Sequence, residues 1–162
     1  LTTPYENTPE NREKYLSAVK LNKEKLTVYA GGDKSRLSVT GSNNSVKWSS
    51  SDDSIAKVTK NGYVYGLKPG KCTIKAVVDG KTFECTVTVK EIGLNQTSLT
   101  LNAKETYQLK VNGIKEGIKW NSSNKSVVKV DNNGKVTAVK KGTATIKATV
   151  NNVTYSCKVK VK

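Results

Sequence analysis

The chain has 162 residues, of which 35% are hydrophobic, and 28 Lys and Arg against 13 Asp and Glu give a net charge of +15. At about 100–200 residues per domain, this length allows one or two domains. The sequence contains no His, which excludes Ser-His-Asp and Cys-His catalysis and His-ligated zinc. No run of about 18 apolar residues occurs, so we expect no membrane-spanning segment. Met is absent even at position 1, and we therefore expect the chain to begin inside a longer precursor or to be an excised fragment.

The positive charge is spread along the chain and is not collected in a tail. Residues 1–18 carry a net charge of −1, residues 19–90 carry +7 and residues 91–162 carry +9. The basic residues are 26 Lys and two Arg, whereas nucleic-acid recognition favours Arg because its planar group binds phosphate and guanine with two bonds. The sequence shows no platform that combines aromatic and basic residues. We therefore expect a diffuse positive field and no specific nucleic-acid binding.

Residues 1–18 form a polar N-terminal segment that contains two Pro. Such a composition is typical of an extended linker from a preceding domain. The alternative is a short helix that ends near Leu16. In that case Thr8 would be the N-cap and Pro9 would occupy the first helical position, where a missing N–H costs nothing.

An internal repeat is the main feature of the sequence. Residues 118–162 align with residues 46–90 without a gap at an offset of 72, and the match pairs Trp48 with Trp120. Upstream of these blocks the offset is 73, so the first copy holds one extra residue between positions 30 and 36. The sequence therefore predicts two tandem domains, which cover residues 19–90 and 91–162.

Each domain is predicted to be all-β. Val87 and Val89 alternate with polar residues, as do Val159 and Val161 in the second copy. A period of two places one face of a strand in the core and the other in water. Turn signals recur about every ten residues, which is the spacing of a β-sandwich or barrel.

Two turns in the first domain are specified by glycine. A three-residue loop that ends at Gly62 would set Val58 opposite Val64, because its third residue must be left-handed. Residues 68–71 are predicted to form a type II turn, with Gly70 at the third position. The second copy retains both glycines.

The register of the next hairpin bears on the cysteines. Asp79 and Gly80 suit a two-residue type I′ turn, which places Cys72 and Cys85 diagonally on one face. Diagonal Cα atoms are roughly 7–8 Å apart, whereas a disulfide needs about 4.4–6.8 Å. We expect Cys72, Cys85 and Cys157 to be buried free thiols, and a strained bridge between Cys72 and Cys85 remains the alternative.

The order of these features resembles the bacterial immunoglobulin-like domain of group 2. The shared pattern is an early Leu, a Trp followed by Ser or Asn, a Val-x-x-x-Gly-x-Val hairpin, a Gly turn and a final Cys-x-Val-x-Val strand, and it occurs across residues 20–90 and 92–162. The resemblance implies a small β-sandwich with Greek-key connections. It implies tandem modules of bacterial surface proteins, adhesins, secreted polysaccharide enzymes or phage tail proteins. It also implies that Trp48 and Trp120 are buried between the sheets, and it fixes no binding residues.

The residues predict no catalytic, cofactor or metal site. Glycoside hydrolysis needs two carboxylates about 5–9.5 Å apart. The adjacent acids Asp52 and Asp53 are the candidates, but the second copy has Asn124 and Lys125 at these positions. Residues 131–134 mimic part of a calcium-binding loop, yet the terminal Glu of such loops is missing. We interpret this segment as the hairpin turn of the second domain.

We therefore predict a non-catalytic, monomeric module that is extracellular or at a bacterial cell surface, and that spaces, presents or attaches. The expected partners are polymers of the cell envelope or of a host surface, such as anionic glycans, which the lysines would attract weakly and in a salt-sensitive way. The alternative is a carbohydrate-binding accessory module of a secreted polysaccharide-active enzyme or a phage tail protein. Its candidate ligand-binding residues are Tyr63, Tyr65 and Tyr107, of which the first two share one face of a strand.

Overall fold

The computed structural model describes residues 8–162, and the chain divides into two units. The first unit extends to Glu91 and the second comprises Ile92–Lys162. Each unit contains nine strands in the described part of the chain, and one helix precedes those of the first. The all-β prediction, with two tandem sandwiches, is confirmed. Residues 1–7 of the predicted N-terminal segment lie outside the described residues.

The helix α1 spans Pro9–Ala18, so the helical alternative for the N-terminal segment is the one that forms. Thr8 is its N-cap, and its hydroxyl oxygen accepts a hydrogen bond from the Asn11 backbone N–H at 3.1 Å. Pro9 stands at the start of the helix, as predicted. The helix continues past Leu16 to Ala18. Within residues 8–162, no helix has the length and apolar character that crossing a membrane requires.

The helix α1 is joined to the first sandwich by its side chains and is not a separate linker. The Tyr15 hydroxyl donates to the Asp79 carboxylate at 3.0 Å and lies 3.2 Å from the Ser42 hydroxyl oxygen. The Lys81 ammonium donates to the Leu16 carbonyl oxygen at 3.3 Å. These contacts link residues far apart in the chain, so no local sequence pattern predicts them.

The two units contain corresponding strands in the same order. Those of the first unit are β1 (Lys20–Leu21), β2 (Lys25–Tyr29), β3 (Ser35–Arg36), β4 (Val39–Thr40), β5 (Lys47–Ser50), β6 (Ala56–Val58), β7 (Tyr63–Gly66), β8 (Gly70–Val78) and β9 (Lys81–Lys90). Those of the second are β10 (Gly93–Leu94), β11 (Ser98–Leu101), β12 (Thr106–Gln108), β13 (Val111–Asn112), β14 (Lys119–Ser122), β15 (Val128–Val130), β16 (Lys135–Ala138), β17 (Gly142–Val150) and β18 (Val153–Val161).

Each unit has a four-stranded sheet, a three-stranded sheet and a short strand pair. In the first unit the orders are β2-β9-β8-β5, β3-β7-β6 and β1-β4. The second unit repeats them as β11-β18-β17-β14, β12-β16-β15 and β10-β13. The pairing is antiparallel except where an early strand meets the last strand of its unit. There β2 runs parallel to β9, and β11 runs parallel to β18.

The core of each unit lies on the inner faces of its sheets. Along β9, Cys85, Val87 and Val89 are buried and alternate with Thr86 and Thr88, which face the other way. The first core consists of Leu26, Val28, Leu37, Ala56, Val64, Cys72, Ile74, Cys85, Val87 and Val89. The second core consists of Leu101, Leu109, Val127, Val128, Val136, Ala138, Ala144, Ile146, Cys157, Val159 and Val161.

The predicted hairpin of the first unit is confirmed. Val58 lies opposite Val64, and Gly62 is left-handed with φ +82. In the second unit Val130 lies opposite Val136, and Gly134 has φ +81. The same three-residue loop therefore forms in both units, which share its Asn and its Gly and differ at its first residue.

The two Trp side chains are only partly buried, so their predicted burial between the sheets is corrected. Trp48 and Trp120 lie on β5 and β14, which are edge strands of their sheets. Each indole packs on its core and covers the hairpin glycine. A Cβ built on Gly62 would lie 3.0 Å from Trp48 Cζ2, and one built on Gly134 would lie 2.6 Å from Trp120 Cζ2. An edge position leaves one side of each ring in contact with water.

The predicted type II turn at residues 68–71 does not form. Gly70 has φ +153, whereas the third position of that turn needs about +80. The chain instead enters β8 directly at Gly70, in a conformation that is essentially restricted to glycine. A Cβ there would also lie 3.0 Å from Ile55 Cδ1. The requirement for glycine was correct, but the turn type was wrong.

The Asp79-Gly80 turn and the cysteine register agree with the prediction. Asp79 and Gly80 have φ of 53 and 74, as a type I′ turn requires. Cys72 lies opposite Val87 and Cys85 lies opposite Ile74, which makes the two cysteines diagonal neighbours. Both are buried free thiols, as is Cys157.

Candidate ligand-binding surface

Two of the three predicted ligand-binding residues lie together on the outer face of the three-stranded sheet of the first unit. They are Tyr63 and Tyr65 on the central strand β7, and the buried Val64 between them points into the core. Alternation along a strand therefore turns both rings outward. Tyr65 is 37% exposed, and Tyr63 is partly buried.

Basic side chains surround these two rings. Arg36 on β3 lies opposite Tyr63, and Lys57 on β6 lies opposite Tyr65. The Lys34 ammonium is 4.5 Å from the centroid of the Tyr63 ring, and the Arg36 Cζ is 5.4 Å from it. Both distances fall within the about 6 Å at which a cation is attracted to an aromatic ring. We call this surface the tyrosine face and define it by Lys34, Arg36, Lys57, Tyr63 and Tyr65.

Tyr107 belongs to the other unit and faces inward. It lies on β12 opposite the buried Val136, and its partly buried ring packs against the second core. The structure therefore brings Tyr63 and Tyr65 together and leaves Tyr107 apart from them.

The second unit has the same sheet without the same surface. At the offset of 72, Lys135 and Thr137 replace the two tyrosines, and Gln108 replaces Arg36. The Gln108 side chain donates to the Asn133 carbonyl oxygen at 2.7 Å. Arg36 makes the corresponding bond from Nε to the Asn61 carbonyl oxygen at 3.4 Å. The position thus supports a backbone bond in both units, and only the first unit adds a charge.

The expectation that no aromatic and basic platform exists is therefore wrong. Lys34 and Arg36 precede Tyr63 by more than 25 residues, and they lie in the stretch where the two copies differ in length. Neither a local sequence pattern nor the repeat could therefore predict that Lys34 and Arg36 lie beside Tyr63. A correct prediction of the pairing between β3 and β7 would have placed Arg36 beside Tyr63.

Among residues 8–162, the carboxyl groups with shifted pKa values are all shifted downward. Hydrogen bonds from Ser54 lower the pKa of Asp52, and those from Ser42, Asn44 and Tyr15 lower the pKa of Asp79. Hydrogen bonds from Asn102 lower the pKa of Glu105. These groups stay ionised at neutral pH, whereas a general acid needs a raised pKa.

The three thiols are shifted in the opposite direction. Burial raises the pKa of Cys72, Cys85 and Cys157. Because the thiolate is the reactive form, these side chains are protonated and poorly nucleophilic at neutral pH. They act as small apolar groups in the two cores.

Residues 131–134 form the hairpin turn and use their carboxylate within it. Asp131 Oδ1 accepts from the backbone N–H groups of Asn133 and Lys135, at 2.9 and 2.8 Å. Among residues 8–162, no three acidic, Cys or His side chains converge as a metal-binding group would.

Comparison with known protein families identifies the fold of both units. The sequence profile described as "Bacterial Ig-like domain (group 2)" matches the chain twice, over residues 17–89 and 87–161. The chain belongs to this family. The two matches follow each other along the chain and together include both predicted domains.

Two relatives match at similar identity. An uncharacterized protein of Clostridium acetobutylicum is 36% identical over 135 residues, which are 74% of this chain and 14% of that protein. An alpha-L-arabinofuranosidase of Bifidobacterium longum is 35% identical over 97 residues, which are 51% of this chain and 9% of that enzyme. The chain therefore spans only a small part of either relative.

Two solved structures are similar to the chain at lower identity. An S-layer protein matches 90% of this chain and 28% of its own length, with 22% identity and a TM-score of 0.38. A fragment of intimin, in complex with the intimin-binding domain of its receptor, matches 88% of this chain and 62% of its own length, with 20% identity and a TM-score of 0.40.

Proposed function

We propose that this segment is a non-catalytic, load-bearing spacer of a bacterial surface or secreted protein. Membership of the bacterial Ig-like family supports an accessory role. The ionised carboxylates and protonated thiols described above also favour a role without acid–base or nucleophilic chemistry. We further propose that the segment acts as a monomer outside the cell.

The parallel pairing of the second strand of each unit with the last strand of that unit is the observation that carries this proposal. Lys25–Tyr29 pairs with Thr86–Lys90, and Ser98–Leu101 pairs with Lys158–Val161. A force applied to the two ends of a unit pulls such strands in opposite directions along their length. All hydrogen bonds between the two parallel strands then bear the force at the same time. When one end of an antiparallel pair is pulled apart, the bonds between its strands break one after another. The fold thus suits a tether under tension.

Single-molecule force spectroscopy tests this role. The whole chain is pulled first by its two termini and then, as a matched control, through cysteines introduced by Lys71→Cys and Lys90→Cys. These two exposed lysines lie at the same end of the antiparallel β8-β9 pair, so the control opens this pair one bond after another. We expect a clearly higher rupture force for the first unit in the terminal geometry. Equal forces in both geometries would contradict a load-bearing design.

A second candidate function is binding to polysaccharide, and the tyrosine face favours it. The exposed, outward-facing ring of Tyr65 offers a flat apolar surface to a sugar ring, whose C–H groups are attracted to the negative face of an aromatic ring. The similarity to part of an alpha-L-arabinofuranosidase is compatible with an accessory module of a polysaccharide-active enzyme. A glycan array with the wild-type chain and the Tyr63→Ala/Tyr65→Ala variant tests this function. Loss of signal in the variant supports it, and unchanged signal contradicts it.

A further inference from the structure

We infer that the tyrosine face binds a carboxylate-bearing polysaccharide, in which the two tyrosines have different tasks. Tyr63 holds Lys34 and Arg36 in position for the carboxylates, and Tyr65 stacks on a sugar ring. This inference rests on the proposed polysaccharide-binding role and specifies its ligand class. It replaces the diffuse positive field expected from the sequence with a formed site in the first unit.

The different tasks follow from what each ring already contacts. The Lys34 and Arg36 side chains lie over the Tyr63 ring, so this ring is engaged within the protein. Such cation–π pairing restricts long side chains that would otherwise lose rotamer freedom when they bind a ligand. No cation of residues 8–162 lies over the Tyr65 ring in this way, and Tyr65 is 37% exposed. It is therefore the ring that can receive a ligand.

The charge of this surface selects an anionic ligand. Strands β3, β6 and β7 carry Arg36 and Lys57 and no acidic residue. Lys34 and its neighbour Asp33 both lie just before β3, so one carboxylate accompanies the three cations Lys34, Arg36 and Lys57 of the tyrosine face. The Nε bond to Asn61 uses one of the five N–H donors of the Arg36 guanidinium. A guanidinium fork matches the two oxygens of a carboxylate.

The second unit indicates that the fold does not depend on the charge of Arg36. Gln108 makes the equivalent bond to a hairpin carbonyl in the second unit, and Thr106 occupies the position of Lys34. The fold therefore does not require cations at these two places. Nucleic acid fits the surface less well, because single-stranded binding relies on successive accessible rings and only Tyr65 offers one.

Polygalacturonate and its fully methyl-esterified form test the inference, because esterification removes the charge and keeps the sugar backbone. The whole chain is titrated with each polymer and with a single-stranded DNA oligonucleotide at one fixed salt concentration. The Lys34→Thr/Arg36→Gln variant carries the side chains found in the second unit. Its matched control is Lys129→Gln/Lys135→Gln, which removes two exposed charges from the equivalent sheet of that unit.

We expect the first variant to bind polygalacturonate at least tenfold more weakly and the control to change binding less than twofold. Equal losses in the two variants would establish the diffuse field and overturn the inference. Equal binding of the acid and the methyl ester would leave the polysaccharide role in place and overturn the ligand class. Binding to neither polymer would overturn both, and tighter binding to DNA than to polygalacturonate would also overturn the inference.

The tasks of the two tyrosines are separated by the same two polymers. Tyr63→Leu should weaken binding of polygalacturonate and leave any binding of the methyl ester unchanged, and Tyr63→Phe should restore the first. Tyr65→Leu should weaken binding of both. If Tyr63→Leu and Tyr65→Leu have the same effect on both polymers, the positioning task of Tyr63 is wrong. Unchanged thermal unfolding of each variant shows that the sheet is intact.

Discussion

The cores of the two units use the same register. Ile74 lies opposite Cys85 in the first unit, and Ile146 lies opposite Cys157 in the second. All four side chains are fully buried. Where a side chain must fill a closed space between sheets, few replacements preserve both volume and apolar character. This explains why these two inward positions agree between the copies.

The ends of the units near their long hairpins differ in character. In the first unit, Asp79 accepts hydrogen bonds from Ser42, Asn44 and Tyr15. In the second unit, the same end holds an apolar cluster of Val111, Ile114, Ala148 and Val150, with Ile92, Leu94, Ile118, Trp120 and Tyr155 packed against it. Ile114 stands at the position of Ser42, at the offset of 72. One scaffold thus supports a polar attachment for a helix in one copy and an apolar cluster in the other.

The largest effect should come from truncating the shared core. Ile74→Ala and Ile146→Ala should each lower the free energy of unfolding of their own unit by about 2–5 kcal/mol, because each leaves a cavity in a fully buried site. Each unit contains one Trp, so denaturant unfolding followed by fluorescence in a Trp48→Phe or Trp120→Phe background reports on one unit. A small loss in one unit and a large loss in the other would break the equivalence of the cores.

The hairpin glycines should give the next largest effect. Gly80→Ala should cost about 1–2 kcal/mol, the cost of a left-handed conformation, because nothing lies within 4 Å of an added Cβ. Gly62→Ala should cost more, since its Cβ would lie 2.2 Å from the Leu37 carbonyl oxygen and 3.0 Å from the Trp48 ring. Thermal unfolding of both variants checks this order. Equal costs would show that the indole and the loop yield easily.

A smaller effect is expected where the copies differ inside the core. Ala144 stands in the second unit at the position of Cys72, and both residues are buried. Cys72→Ala should therefore lower the free energy of unfolding by about 1 kcal/mol or less, close to the loss of one buried methylene-sized group.

Titration of the denatured wild-type chain without reductant should find three reactive thiols. A count of one would instead establish the bridge between Cys72 and Cys85.

The smallest effect should appear on acidification of the helix attachment. Hydrogen bonds from Ser42, Asn44 and Tyr15 lower the pKa of Asp79 below its ordinary value of 3.8. A depressed pKa contributes stability that is present above about pH 3.8 and is lost as the pH falls through the lower folded-state value. The protection of the α1 backbone amides against hydrogen exchange should therefore decrease below this pH. Asp79→Asn should remove that pH dependence, and an unchanged profile in the variant would show that Asp79 does not hold the helix.

Local chemistry made much of the fold predictable from the sequence. The left-handed Gly62 fixed a hairpin register, and Thr8 with Pro9 marked the start of α1, because such signals act within a few residues. The type II turn was wrong because contacts outside its four residues act on this segment: the backbone N–H groups of Leu67 and Lys68 both donate to the Ile55 carbonyl oxygen, and β8 begins at Gly70.

The candidate site was only partly predictable, for the same physical reason. Alternation placed Tyr63 and Tyr65 on one face, but Arg36 lies on β3 and Lys34 just before it, and no local pattern predicts that β3 pairs with β7. Tyr107 has no sequence signal that separates it from a surface tyrosine, yet β12 turns it toward the second core. Long-range strand pairing decides which side chains meet, and it must be known before a surface can be assembled.

We propose that the two units, which share one scaffold, differ in function because only the first carries the tyrosine face. Backbone amide chemical shifts of the whole chain, followed by NMR during titration with polygalacturonate, test this most directly. We predict shifts that concentrate on β3, β6 and β7 and leave the equivalent strands β12, β15 and β16 unchanged. Shifts of equal size on both sets of strands would contradict the claim and assign the interaction to the overall positive charge of the chain.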